Sequence, residues 1–171
     1  MSKGMVHVYT GNGKGKTTSS IGLAVRAVGA GMQVYIGQFA KGRKYSELNS
    51  LSEIDNIKVK QYGLNTFING EPDKEDIKKA KEGLEEIESI LKSGEYDLVI
   101  LDEANIATYY DLFSAEELIE IVESREGQVE VVITGRNADD KIIDYADLVT
   151  EMKEIKHYYQ KGVMARTGIE K

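Results

Sequence analysis

Apolar positions recur along the chain in two alternating rhythms, short strand-like runs and longer helical ones. Met5 to Tyr9 mixes apolar and β-prone residues and predicts a first strand, which the glycines between Gly11 and Gly15 cannot continue. From Thr17 the spacing turns helical: Ile21, Leu23, Ala24, Ala27 and Val28 share one broad face, and Gly29 to Gly31 end it. Val34 to Phe39 and Ile57 to Gln61 read as the second and third strands. Asp73 then caps a long amphipathic helix carrying Ile77, Ala80, Leu84, Ile87 and Leu91, with Gly94 as its stop and Glu75–Lys79 as a surface pair. The charge on that helix reads as a solvated face. Tyr96 to Leu101 is an apolar run bounded by acids, as expected of a central parallel strand buried on both sides. Ser114-Ala115-Glu116-Glu117 predicts a capping box, Val129 to Thr134 a further buried strand, Ala138 to Tyr145 a short helix, and Leu148 to Met152 a last strand.

Strands alternating with helices over the whole length predict an α/β fold, a mostly parallel sheet flanked by helices in three layers, as one domain over 1–171. Two stretches, 40–55 and 62–72, lack a strong pattern; loops this long in a compact domain are more often functional than idle.

Composition narrows the chemistry. With no cysteine, disulfides, thiolate zinc sites and cysteine nucleophiles are excluded. Lys and Arg total 22 against 29 Asp and Glu, a net charge of −7, which is a poor match for a nucleic-acid backbone. The start of the chain shows no apolar core of signal-peptide length, and Leu98 to Leu101 is far too short to cross a bilayer. The expectation is a cytoplasmic protein with neither nucleic acid nor membrane as partner.

The strongest motif lies between the first strand and first helix: Thr10-Gly11-Asn12-Gly13-Lys14-Gly15-Lys16-Thr17. In a phosphate loop, successive backbone N–H groups wrap an anion, a lysine adds charge, and a hydroxyl meets magnesium. Gly15-Lys16-Thr17, with Thr18 beside them, fill the last positions in the required strand–loop–helix setting, and the helix N-terminus adds partial positive charge. One position departs, because Thr10 stands where the pattern has its first glycine. The plain alternative is a glycine-rich turn with no ligand. Asp102-Glu103 end a buried strand, hence face the same rim as the loop, where a carboxylate can hold Mg²⁺ (or Mn²⁺) directly or through water. The fold expectation becomes a three-layer, P-loop NTPase-like (RecA-like) sheet. Arg136 follows another buried strand onto that rim. His157 lies in a polar, aromatic C-terminal stretch, whereas His7 sits inside the first strand and reads as structural. A triphosphate cradle does not say which bond breaks. A small ATPase or kinase transferring the γ-phosphate, a non-enzymatic nucleotide sensor and an enzyme attacking elsewhere on ATP all remain open on these residues. A thymidine-kinase-like enzyme is a closer structural rival, opposed modestly by the absence of cysteine.

The loop with Thr18 and Arg26, then Gln38-Phe39, Lys41-Gly42, Leu101-Asp102-Glu103, Thr134-Gly135-Arg136, Ala146 to Val149, Lys156-His157, Gly162-Val163 and Gly168-Ile169 together resemble the P-loop type of ATP:cob(I)alamin (corrinoid) adenosyltransferases. The threonine at the first loop position belongs to that resemblance. It implies that the 5′-deoxyadenosyl group of ATP moves onto Co(I) of a reduced corrinoid, leaving inorganic triphosphate. It also implies that Thr17, Asp102 and Glu103 hold the metal, that Lys16 and Glu103 are catalytic, and that Arg26, Arg136 and His157 contact the nucleotide. Tyr62, Gly63, Leu64, Phe67 and Tyr110 are the corrinoid-facing candidates, although Leu64 stands where an aromatic residue is expected. A flavodoxin-like or flavin reductant and a homodimer are implied partners. Only Met1 to Gly4 precede the first strand, so the N-terminal arm of some relatives is not expected.

Overall fold

The structure, a computed structural model, describes residues 3–40, 42, 45–63 and 71–171. Its strands are β1 (Val6–Thr10), β2 (Val34–Phe39), β3 (Ile57–Tyr62), β4 (Leu98–Asp102), β5 (Glu130–Thr134) and β6 (Leu148–Glu151). They form one sheet in the order β3-β2-β4-β5-β1-β6, and every pairing is parallel. The helices are α1 (Lys16–Gly29), α2 (Ser46–Leu51), α3 (Lys74–Ser93), α4 (Ala104–Tyr109), α5 (Ala115–Glu123) and α6 (Asp140–Tyr145).

Side chains of a strand alternate between faces, and the central strands feed two cores in that way. Val99 and Leu101 of β4 join Tyr35, Val131 and Ile133 beneath α3 and α5. Leu98 and Ile100 join Val34, Ile36 and Val132 beneath α1, where Ala24 and Ala27 let the helix approach closely. Burial on both sides explains why the sequence of β4 and β5 is apolar without alternation.

The expected cap at Asp73 and the expected capping box at Ser114 both form, and Asp73 proves to be a capping box as well. Asp73 Oδ1 accepts from the amides of Glu75 (2.8 Å) and Asp76 (2.9 Å), and Ser114 Oγ accepts from that of Glu117 while Glu117 returns the bond. Each such cap is worth about 1 kcal/mol. Gly94 ends α3 in the left-handed region, at φ 64°. The expected Glu75–Lys79 pairing is replaced: Lys79 Nζ sits 3.8 Å from Glu82. Two helices arise without a strong sequence pattern, α2 within 40–55 and α4 directly after β4. Each has only six residues, too few to show a helical period.

Candidate functional site

The loop between β1 and α1 is tied to the end of β6. Met152 donates its amide to Thr10 O (2.8 Å) and accepts from the Gly13 amide (2.6 Å). A Cβ on Gly11 or on Gly13 would lie 2.6 Å from Met152 O, so neither position tolerates a side chain. Thr10, at the irregular first position, accepts from the Ala138 amide at 3.4 Å through its hydroxyl. The threonine thereby joins the loop to the segment beyond β5, a role glycine has no atom for.

Lys16 folds back over the loop, its Nζ donating to Gly11 O (2.7 Å) and Gly13 O (2.8 Å). Desolvation lowers its pKa, and the nearby Arg136 charge lowers it further against the opposing pull of Glu103 and Asp102. A desolvated ammonium between carbonyls is held where an arriving anion gains most from it.

Beneath the loop lies the acid pair. Asp102 is 1% exposed. Its Oδ1 accepts from Thr17 Oγ1 (2.8 Å) and Thr134 Oγ1 (2.7 Å), and its Oδ2 from Gln38 Nε2 (3.2 Å). Three donors converge on the buried carboxylate, as burial of such a group requires. Glu103, next in sequence, adopts φ 59° and ψ 20° at the start of α4. Left-handed backbone at a non-glycine residue costs about 1–2 kcal/mol and gathers at functional sites.

A cavity of about 640 Å³ opens over the loop from Gly13 to Thr18 and is flanked by Arg136, His157 and the start of α2. His157 Nδ1 accepts from the Tyr159 amide at 3.0 Å, which makes Nε2 the N–H of the neutral ring. The far wall is the C-terminal strap, Gly168 to Lys171. Lys14 Nζ donates to Ile169 O (2.7 Å) and Glu170 Oε1 (2.8 Å). Arg166 and Tyr158 also donate to the Glu170 carboxylate. The bond to Glu170 raises the pKa of Lys14. Bonds from Arg166, Lys14 and Tyr158, in that order, hold the Glu170 carboxyl well below the usual carboxylate range.

Thus Gly13, Lys14, Gly15, Lys16, Thr17, Thr18, Arg136 and His157 are brought to one cavity, while Thr10, Gly11 and Asn12 precede its lining in the loop. Arg26 is not brought there. It is exposed in the last turn of α1, ten residues or about 15 Å of helix beyond Lys16. Tyr62 is a correction to the corrinoid-facing expectation. It is 6% exposed, its hydroxyl pairs with that of Tyr35 at 2.6 Å, and a Cβ on Gly83 would lie 2.5 Å from its Cγ. Tyr62 is core, filling a slot that the glycine of α3 leaves open. Gly63 is half-buried just after β3. Leu64 and Phe67 lie outside the described residues, as does Lys41. Tyr110 is half-buried against the core and edge-on to Tyr109, 5.3 Å between ring centres, and Tyr109 itself is exposed. Thr134, Gln38 and Glu170 contribute to the site although no role was assigned to them from the sequence. A glutamine in an otherwise apolar strand was a usable signal for Gln38; Glu170 gave none.

A parallel sheet with a phosphate loop between β1 and α1, and a buried aspartate at the end of β4 bonded to the loop threonine, defines a P-loop nucleotide-binding protein. The sequence model of the family described as ATP:corrinoid adenosyltransferase BtuR/CobO/CobP matches residues 2–170. The chain is 33% identical over 168 residues to the corrinoid adenosyltransferase of Escherichia coli K12, covering 98% of this chain and 86% of that protein. It is 36% identical over 172 residues to a corrinoid adenosyltransferase from Sinorhizobium, with 98% and 80% covered, and 34% identical over 168 residues to corrinoid adenosyltransferase CobA of Salmonella typhimurium, with 98% and 86% covered. The chain belongs to the corrinoid adenosyltransferase family.

Among the described residues no group of three His, Cys, Asp or Glu is placed to hold a metal ion, and no helix is long and apolar enough to cross a membrane. Magnesium on a nucleotide asks for less than a cage, since phosphates and water supply most of its octahedron. The hard oxygens of Thr17, Asp102 and Glu103 fit that need. Thr17 spends its proton on Asp102, so any further bond its hydroxyl makes is as an electron-pair donor.

Proposed function

We propose that the chain transfers the 5′-deoxyadenosyl group of ATP to the Co(I) centre of a reduced corrinoid, with inorganic triphosphate as the second product. The observation that carries this reading is the family match across residues 2–170, which spans the loop, the acid pair and the rim. Cobalt's electron pair forms the Co–C5′ bond, and the C5′–O bond breaks with its pair going to the triphosphate. No water is activated, so the site has no need of a general base. Its tasks are to hold C5′ in line with cobalt and to receive charge on the leaving oxygen.

Lys16, the loop amides of Gly11 to Thr18, Lys14 and Arg136 serve the second task, and His157 holds the nucleotide from the strap side. Thr17, Asp102 and Glu103 would hold Mg²⁺ or Mn²⁺, which would neutralise triphosphate charge. The corrin ring lies toward Gly63, Tyr110 and the exposed Tyr109. A flavodoxin-like or flavin donor supplies the electron, a homodimer is the working assembly, and the cytoplasm is the compartment.

The test is to incubate the protein with ATP, Mg²⁺ and chemically reduced cobalamin. A light-sensitive Co–C product with stoichiometric triphosphate is expected. ADP and phosphate without that product would replace the reading with γ-phosphoryl transfer by a small ATPase or kinase.

A further inference from the structure

We infer that Thr134 is a positioning residue for the metal–triphosphate end of the site, its one hydroxyl setting Asp102 and Glu103 together. The inference takes its purpose from the adenosyl-transfer reading and its substance from geometry.

Thr134 closes β5 and is 0% exposed. The strand reads Glu-Val-Val-Ile-Thr, and packing alone would be served by another valine at its end. The hydroxyl instead donates to Asp102 Oδ1 at 2.7 Å and accepts the Glu103 amide at 3.1 Å. A group that donates and accepts in one place is what two consecutive acids of different duty need. The accepted bond fixes the residue at which the chain turns left-handed, φ 59° at Glu103. The donated bond shares Oδ1 with Thr17, so the carboxylate cannot rotate without releasing the loop threonine. The opposite oxygen is braced by Gln38, which is itself held by Gln61 Nε2 at 3.1 Å. Asp102 is therefore approached from β2, β5 and α1, and Thr134 is the one of these partners that also reaches Glu103 through its backbone. Without its hydroxyl the two acids lose their common reference.

Thr134→Val removes both bonds at nearly constant volume, and Thr134→Ser keeps both. Binding of Mn²⁺ in the presence of ATP, without corrinoid, is followed by electron paramagnetic resonance for each variant. Outer-shell partners of metal ligands typically govern affinity by about 10–100-fold, so Thr134→Val should weaken Mn²⁺–ATP binding at least about tenfold. Thr134→Ser should stay within about twofold of the unsubstituted protein, and the KM for corrinoid should not move in either. Unchanged binding in folded Thr134→Val overturns the inference, as does a Thr134→Ser as weak as Thr134→Val. If the valine variant does not fold, Thr134→Cys, with its weakly donating thiol, takes its place against serine under the same criteria. Because the assay contains no corrinoid, a negative result here leaves adenosyl transfer standing, and absence of a Co–C product leaves this comparison intact.

Discussion

The phosphate loop is gripped from two sides, and the grips differ in kind. Beneath it, Gln38, Asp102 and Thr134 are at most 1% exposed and bonded donor to acceptor through the ends of three strands. Above it, the strap holds Lys14 by an ion pair whose lysine side chain is 41% exposed. Stranding a buried polar group costs about 1–3 kcal/mol, whereas an exposed ion pair is worth about 0–1 kcal/mol and weakens with salt. The lower grip therefore fixes geometry and the upper one can be exchanged. A site that must hold acids still while anions come and go is served by that division.

The comparison breaks first at Lys16. Lys16→Ala removes the charge that meets the triphosphate, and transfer measured by cobalamin absorbance should fall about 10²–10³-fold, or about 3–4 kcal/mol. Asp102→Ala strands three donors in the lower grip, so urea denaturation should report a loss of about 3 kcal/mol or more along with activity. Gly83→Ala asks which of two effects prevails beside Tyr62. Alanine gains about 1 kcal/mol of helix propensity, but a Cβ 2.5 Å from the ring overpacks the slot at about 1–3 kcal/mol. Net destabilisation is expected in thermal melts, since Tyr62 is pinned by its bond to Tyr35, whose own pKa burial pushes up to about 12.

The upper grip should yield smaller effects. Glu170→Gln removes the charge that competes for Lys14, leaving its bond to Ile169 O, and should lower the KM for ATP about two- to threefold at low ionic strength, the difference fading near 1 M salt. Acid acts on the same contact. The folded-state pKa of Glu170 is depressed from 4.5, so its contribution is full above that value and is lost only as pH falls through the lower folded one. Amide shifts of residues 166–170, followed by NMR, should hold from neutral pH down to about 5 and move only in stronger acid.

The two grips also differ in how far the sequence announces them. Val34–Phe39 as a strand, the caps at Asp73 and Ser114, the loop, and Asp102 facing it were all legible, because each depends on neighbours a few residues away or on strand polarity in a parallel sheet. Arg136 also reaches the cavity, as its position after a buried strand implied, and so does His157, which only the family resemblance had pointed to. What escaped depends on distant partners. Tyr62 looked available until the slot opposite Gly83 appeared, 21 residues on. Glu170 meets Lys14 across 156 residues, and Thr134 meets Asp102 across 32. No local period encodes such meetings.

Glu170 is a competitor on a tether. It follows Met152, itself bonded to the loop, by a short span, so its carboxylate confronts Lys14 at an effective concentration on the order of millimolar. Every anion entering the cavity works against that fixed rival, the incoming nucleotide and the departing triphosphate alike. If both meet Lys14 alike, affinity for both is discounted by the same factor, which leaves their ratio untouched and shortens the product's stay. On the proposed reaction the strap would trade tightness of binding for turnover.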